Sequence, residues 1–129
     1  MRLRKRKNNG TALVEFAFVL PIFLLILIGT LEFGIVLNDY LILQNASREG
    51  ARFGVVGATQ SAIEQRVRDF AFHLNNPSLG VVITNARGNR GSTLAVRASY
   101  AVPLLTPLMQ SLVHSSTFAL SSESQMRME

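Results

Sequence analysis

The sequence predicts an α+β fold: a long N-terminal helix with a membrane half and a soluble half, a second shorter helix, and a small antiparallel sheet. Three observations carry that expectation. Phe16 to Leu31 reads FAFVLPIFLLILIGTL and holds no charge. Beyond it, Val36, Tyr40, Leu43, Ser47, Gly50 and Gly54 recur at steps of three and four, the period of one helix face. Later, Leu94, Val96, Ala98, Tyr100 and Val102 alternate with Thr93, Ala95, Arg97 and Ser99, the period of a strand with one buried face.

The first helix begins near Thr11. Thr11 to Leu31 supplies the roughly 20 residues that a helix rising about 1.5 Å per residue needs to cross a bilayer core. Pro21 interrupts this run and is expected as a kink or soft point, which membrane helices tolerate. Gly29 and Gly34 read as packing positions. Glu32 and Phe33 to Leu37 fall near the outer interface, and nothing there stops the helix. Continued to Gly54 it would be roughly 65 Å long, so its outer half must be the spine of a soluble domain. Ala46, Ser47, Gly50, Ala51 and Gly54 make one flank small enough for a sheet to lie across it. Arg48, Glu49 and Arg52 belong to the opposite, solvated side, with Glu49 in reach of Arg52.

Gly54 to Thr59 reads as a turn. Ser61-Ala62-Ile63-Glu64 fits a capping box, and Ile63, Val67, Phe70, Ala71 and Leu74 form the apolar stripe of a second helix, stopped by Asn75-Asn76-Pro77. Val81 to Thr84 is a short β-branched strand, and Gly88-Asn89-Arg90-Gly91 is the turn into the alternating strand. Pro103 to Val113 is apolar and reads as a loop with a short helix. Its Leu104, Leu105, Leu108 and Met109 are expected first to pack into the domain, and second to meet a partner or the membrane surface. A last strand from Thr117 to about Met126 carries Phe118, Leu120 and Met126 on one face and serines between, as an edge strand would.

The formal charge of +5 invites a nucleic-acid reading, but its distribution argues against one. Arg2, Arg4, Lys5, Arg6 and Lys7 precede Gly10, and the remaining eight basic residues balance eight acidic ones. No phosphate-binding stripe is left, and no nucleic-acid partner is expected. The basic run instead reads as a positive-inside anchor that keeps the N-terminus cytoplasmic. Without cysteine there is no disulfide or thiolate metal site, and His73 and His114 stand alone. No phosphate loop and no nucleophile elbow occur. The chain is therefore expected to be no enzyme, with no catalytic, metal or cofactor residues.

The chemistry-bearing residues lie where charge gives way to the apolar run. Gly10 there resists helix and leaves its bond open to a peptidase, or it simply starts the helix after Asn9. Glu15 is the only ionisable group of the span, and a carboxylate at mid-bilayer costs about 2.5–3.5 kcal/mol. Such a group is a functional hint, with neutralisation of the basic leader as the plainer account.

A basic leader, a Gly and five residues ending in Glu and Phe, running into a hydrophobic helix, resembles the prepilin cleavage motif of type IVb pilins. The following LPIFLLILIGTLEFG and LQNASREGARFG are similar to TadE-like pseudopilins of Tad (Flp) pilus systems. The resemblance extends to the closing Met126-Arg127-Met128-Glu129. It implies a pilin-like fold and cleavage by a prepilin peptidase between Gly10 and Thr11. Pairing of Glu15, beside Phe16, with a new N-terminal amine during assembly is also implied. So are partners among other pilins, pseudopilins and the Tad inner-membrane assembly platform, in adhesion and biofilm formation. The main pilin of such systems is much shorter, which favours a minor pilin. Thr11 departs from the apolar residue that many pilins carry there, which bears on N-methylation more than on cleavage.

The expected organisation is a leader over 1–10, a transmembrane helix over 11–37 and an extracytoplasmic α+β domain over 38–129. The expected location is the bacterial inner membrane, single-pass, with possible incorporation in a pilus. A cleaved signal peptide fits poorly, since its apolar region would be shorter and followed by a small-residue site. The alternative is an uncleaved signal anchor carrying an extracytoplasmic partner-binding domain.

Overall fold

A computed structural model describes residues 9–74 and 76–128. Its elements run α1 (Asn9–Val55), α2 (Gln60–Phe70), a 3₁₀ turn (Asn76–Ser78), β1 (Leu79–Thr84), β2 (Thr93–Pro103), α3 (Pro107–Val113) and β3 (Thr117–Arg127). The three strands form one antiparallel sheet in the order β1-β2-β3, so β3 is an edge as the sequence suggested.

At 47 residues, α1 is about 70 Å long and continues through Pro21. Pro21 lacks the N–H that would bond the Ala17 carbonyl one turn back. Nearby, Thr30 closes its own hydroxyl onto the Ile26 carbonyl at 2.8 Å, so this polar group needs no outside partner. Every residue from Gly10 to Ile28 is exposed. From Glu32 onward α1 begins to bury residues, and its outer half lies against β2, β3 and α2.

The small flank is the core face. Ala46, Ser47, Gly50, Ala51 and Gly54 are all buried. A Cβ at Gly50 would collide with Val67 Cγ2 of α2, and one at Gly54 with Leu94 Cδ2 of β2 and Ile63 Cδ1 of α2. Absent side chains thus let both a helix and a strand approach α1. The expected neighbour was the sheet alone. Leu43, Ile63, Val67, Leu94 and Val96 fill the centre with no exposure, each contributing about 1.5–3 kcal/mol on burial. The alternating face of β2 is buried from Leu94 to Val102, as its pattern predicts. Among the described residues no buried side-chain N or O lacks a partner.

Local details correct the sequence reading. Thr59, not Ser61, caps α2: its Oγ1 accepts from the Ala62 N–H at 3.2 Å, and Glu64 instead pairs with Arg68 at 2.9 Å. The Ser61–Glu64 pattern lies two residues inside the helix, so the two side chains cannot close a box. The helix ends at Phe70, whose ring is exposed, while Ala71 and Leu74 still reach the core. Glu49 does not pair with Arg52. Its partner is Arg66 at 2.9 Å, whose guanidinium also lies 6.0 Å from the Phe53 ring centre. This strap ties α2 to α1, and a partner across the interface wins over one on the same helix. The β1–β2 connection spans 85–92 rather than 88–91, because positive φ at Asn85, Arg87 and Gly91 is needed to reverse the chain. Met128 closes this loop, donating to the Ser92 carbonyl and accepting from the Gly91 N–H, both at 2.9 Å.

Candidate functional site

The N-terminal motif occupies the first two turns of α1. Gly10 is helical and exposed, with nothing within 4 Å of where a Cβ would stand. The Gly10–Thr11 bond lies within the helix, which is described from Asn9 onward. Thr11 and Glu15 are spaced i,i+4 on one face, and Phe16 is 60% exposed beside them. Arg2, Arg4, Lys5, Arg6 and Lys7 lie outside the described residues.

A second constellation, which the sequence reading missed, joins α1 to the β2–β3 connection. Glu32 is buried at 6% exposure, and its carboxylate is a hub. Oε1 accepts from the Leu105 N–H at 2.7 Å and the Thr106 N–H at 3.3 Å. Oε2 accepts from Thr106 Oγ1 at 2.5 Å. The same Thr106 oxygen accepts from the Met109 N–H at 3.4 Å and so caps α3, with Pro107 opening its first turn. Gln110 donates to the Leu104 carbonyl at 2.8 Å, and His114 ends the helix in a left-handed conformation. A carboxylate accepting three bonds is firmly satisfied.

Around this clasp α3 meets α1 where Met109 stands against Gly29. Two apolar grooves flank the contact. One of about 270 Å³ runs between Gly29, Phe33, Val36, Leu104, Val113 and Phe118. The other, about 390 Å³, is lined by Pro21, Leu24, Leu25 and Ile28 of α1 with Pro107 and Met109. Of the leucines expected to pack, Leu104 is buried but Leu105 is 69% exposed. Elsewhere, His73 is exposed just beyond α2, against the neighbouring Phe72 ring. Among the described residues no three His, Cys, Asp or Glu gather as metal ligands.

Residues 10–52 of the 129 match the family model described as TadE-like protein. Over these residues, about a third of the chain, it is similar to TadE-like proteins. The matched stretch is nearly the whole of α1, from the exposed Gly10 through the buried small flank to Arg52. No curated protein and no solved structure matches the chain. The TadE-like match supports a component associated with a Tad-type pilus, from a family of structural proteins rather than enzymes. Helix α1 is long and apolar enough to cross a membrane, and with the family match it points to a membrane-anchored protein.

Proposed function

We propose that this protein is a TadE-like minor pilin, a structural subunit for assembling a Tad (Flp) pilus that serves adhesion and biofilm formation. The family match carries this reading: it begins at Gly10, the residue at which the leader would be cut. Residues 11–37 cross the inner membrane, and 38–129 form the extracytoplasmic domain. Cleavage between Gly10 and Thr11 removes five cations whose transfer through the bilayer would cost on the order of 10 kcal/mol or more. It also creates an amine on Thr11, one helical turn from Glu15. Phe16 and the exposed face of α1 beyond it then offer apolar surface to other pilins or pseudopilins at the assembly platform.

The test is the intact mass and N-terminal sequence of the protein purified from its native membrane. A chain starting at Thr11, and one starting at Met1 when Gly10 is replaced by Leu, support the reading. A wild-type chain starting at Met1 in cells with an active prepilin peptidase overturns it in favour of an uncleaved signal anchor.

A further inference from the structure

Counted from Thr11 at about 1.5 Å per residue, Glu32 stands about 31 Å along α1, the thickness of a hydrocarbon core. The α1 residues that share a groove with Pro107 and Met109, from Pro21 to Gly29, lie below that level by about 5 to 17 Å. A helix held beside them is level with the leaflet farther from the N-terminus. Its outward side chains suit that depth: Leu105 is 69% and Leu112 65% exposed, and Val113 and Phe118 are also open. From Ala98 to Ser122 the sequence holds no Asp, Glu, Lys or Arg. The apolar surface of α1 thus passes without a charged break onto α3, where water would otherwise meet it.

We propose that α3, with Leu105 and Phe118, is a second membrane-binding surface that enters the distal leaflet of the lipid bilayer and is held at that depth by the Glu32–Thr106 clasp. Amphipathic helices bury their apolar faces about 5–10 Å into the headgroup and acyl boundary, and the contact of Met109 with Gly29, about 5 Å below Glu32, stands at the shallow end of that range. The clasp satisfies the Leu105 and Thr106 N–H groups that the leaflet could not. The domain is then attached at two points, which fixes its rotation about the α1 axis. The proposal shares with the pilin reading only the placement of α1 in the membrane; it does not depend on cleavage.

The chain has no cysteine, so single labels can be placed cleanly. Leu105→Cys, Leu112→Cys, Phe23→Cys on α1 and Val82→Cys on the outer sheet face would each carry an environment-sensitive fluorophore. The full chain would be reconstituted in phosphatidylcholine vesicles containing acyl-chain spin-labelled phosphatidylcholine. Quenching and a blue shift at positions 23, 105 and 112, but not 82, are expected. In Glu32→Ala, quenching at 112 should be lost while that at 23 stays; its retention overturns the clasp's role. Quenching at 23 with 105 and 112 behaving like 82 overturns the leaflet surface and leaves membrane anchoring standing. Labels at 105 and 112 shielded only by self-association, without lipid quenching, mark a protein contact and also overturn it. No quenching at 23 removes membrane anchoring and this proposal together.

Discussion

The hydroxyls of Ser47 and Ser122 lie 3.1 Å apart in the core, 75 residues apart in sequence, where α1 crosses β3. Ser47 also donates to the Gln44 carbonyl at 2.9 Å, so the shared proton belongs to Ser122. The contact locks the edge strand to the helix at a point where neither side chain is large enough to do so by packing.

Removing both partners should therefore cost less than the two single losses added. Ser47→Ala strands the buried Ser122 hydroxyl and should destabilise the protein by about 1–3 kcal/mol, whereas Ser47→Ala with Ser122→Ala should lose less than the two single changes added together. Chemical denaturation of the four proteins in detergent, read as a double-mutant cycle, checks this. Additive losses would mean that the two hydroxyls do not interact.

The glycines of α1 should rank by what faces them. Gly50→Ala drives a methyl into Val67, a β-branched side chain stiff at χ1, and should cost about 1–3 kcal/mol. Gly54→Ala meets the ends of Leu94 and Ile63, which can turn aside, and should cost less. Gly34→Ala meets nothing within 4 Å and should stabilise the helix by about 0.5–1 kcal/mol. Melting temperatures in one detergent would give the order, and a Gly34 variant as damaged as Gly50 would refute it.

Acid should loosen two of the ion pairs, Glu49–Arg66 and Glu123–Arg97. The Arg66 guanidinium holds the Glu49 carboxyl below its ordinary 4.5, aided by the charge of Arg52 and opposed by partial burial. Gln125 first and Arg97 second do the same for Glu123, where Arg97 sits directly across the strands. A carboxyl lowered on folding contributes stability that is full above its unfolded value and is lost as pH falls through its folded one. The melting temperature should thus decline as pH drops below about 4.5, and less steeply in Glu49→Gln. An equally steep decline in that variant would show that the pair does not contribute.

If the pilin reading holds, Glu15 and Gly10 should separate two steps. Glu15→Ala should still be cut to a chain starting at Thr11 yet fail to co-purify with other pilins. Gly10→Leu should fail at the cut itself. Mass spectrometry and affinity capture from the native membrane distinguish them. Normal co-purification of Glu15→Ala would remove its role in pairing.

Patterns that repeat along the chain were legible before the fold was known. The apolar run, the small flank from Ala46 to Gly54 and the alternation from Leu94 to Val102 each state a periodicity, and each stands where its period placed it. Choices between equivalent local partners were not legible. Glu49 had Arg52 within reach on its own helix and took Arg66 from the next one. Ser61 and Glu64 had the spacing of a box, but the helix began one residue before Ser61 and used Thr59. The Glu32 clasp was hidden for a stronger reason. Its partners lie 73 and 74 residues away; two of its three donors are backbone N–H groups and the third is an N-cap hydroxyl, and no motif marks any of them. An acidic residue at the end of a membrane-length run was the one available signal.

The excursion that holds α3 is closed at its base. Pro103 faces Thr117 as the last strand pair, and the Leu104 N–H reaches the Ser116 carbonyl at 3.0 Å. The sheet therefore zips to completion on either side of an insert it does not need. Residues 105–115 form a replaceable module: a short turn in their place should leave the hairpin paired. Sequence drift or design can then retune how the subunit sits against its surroundings without reopening the question of how it folds.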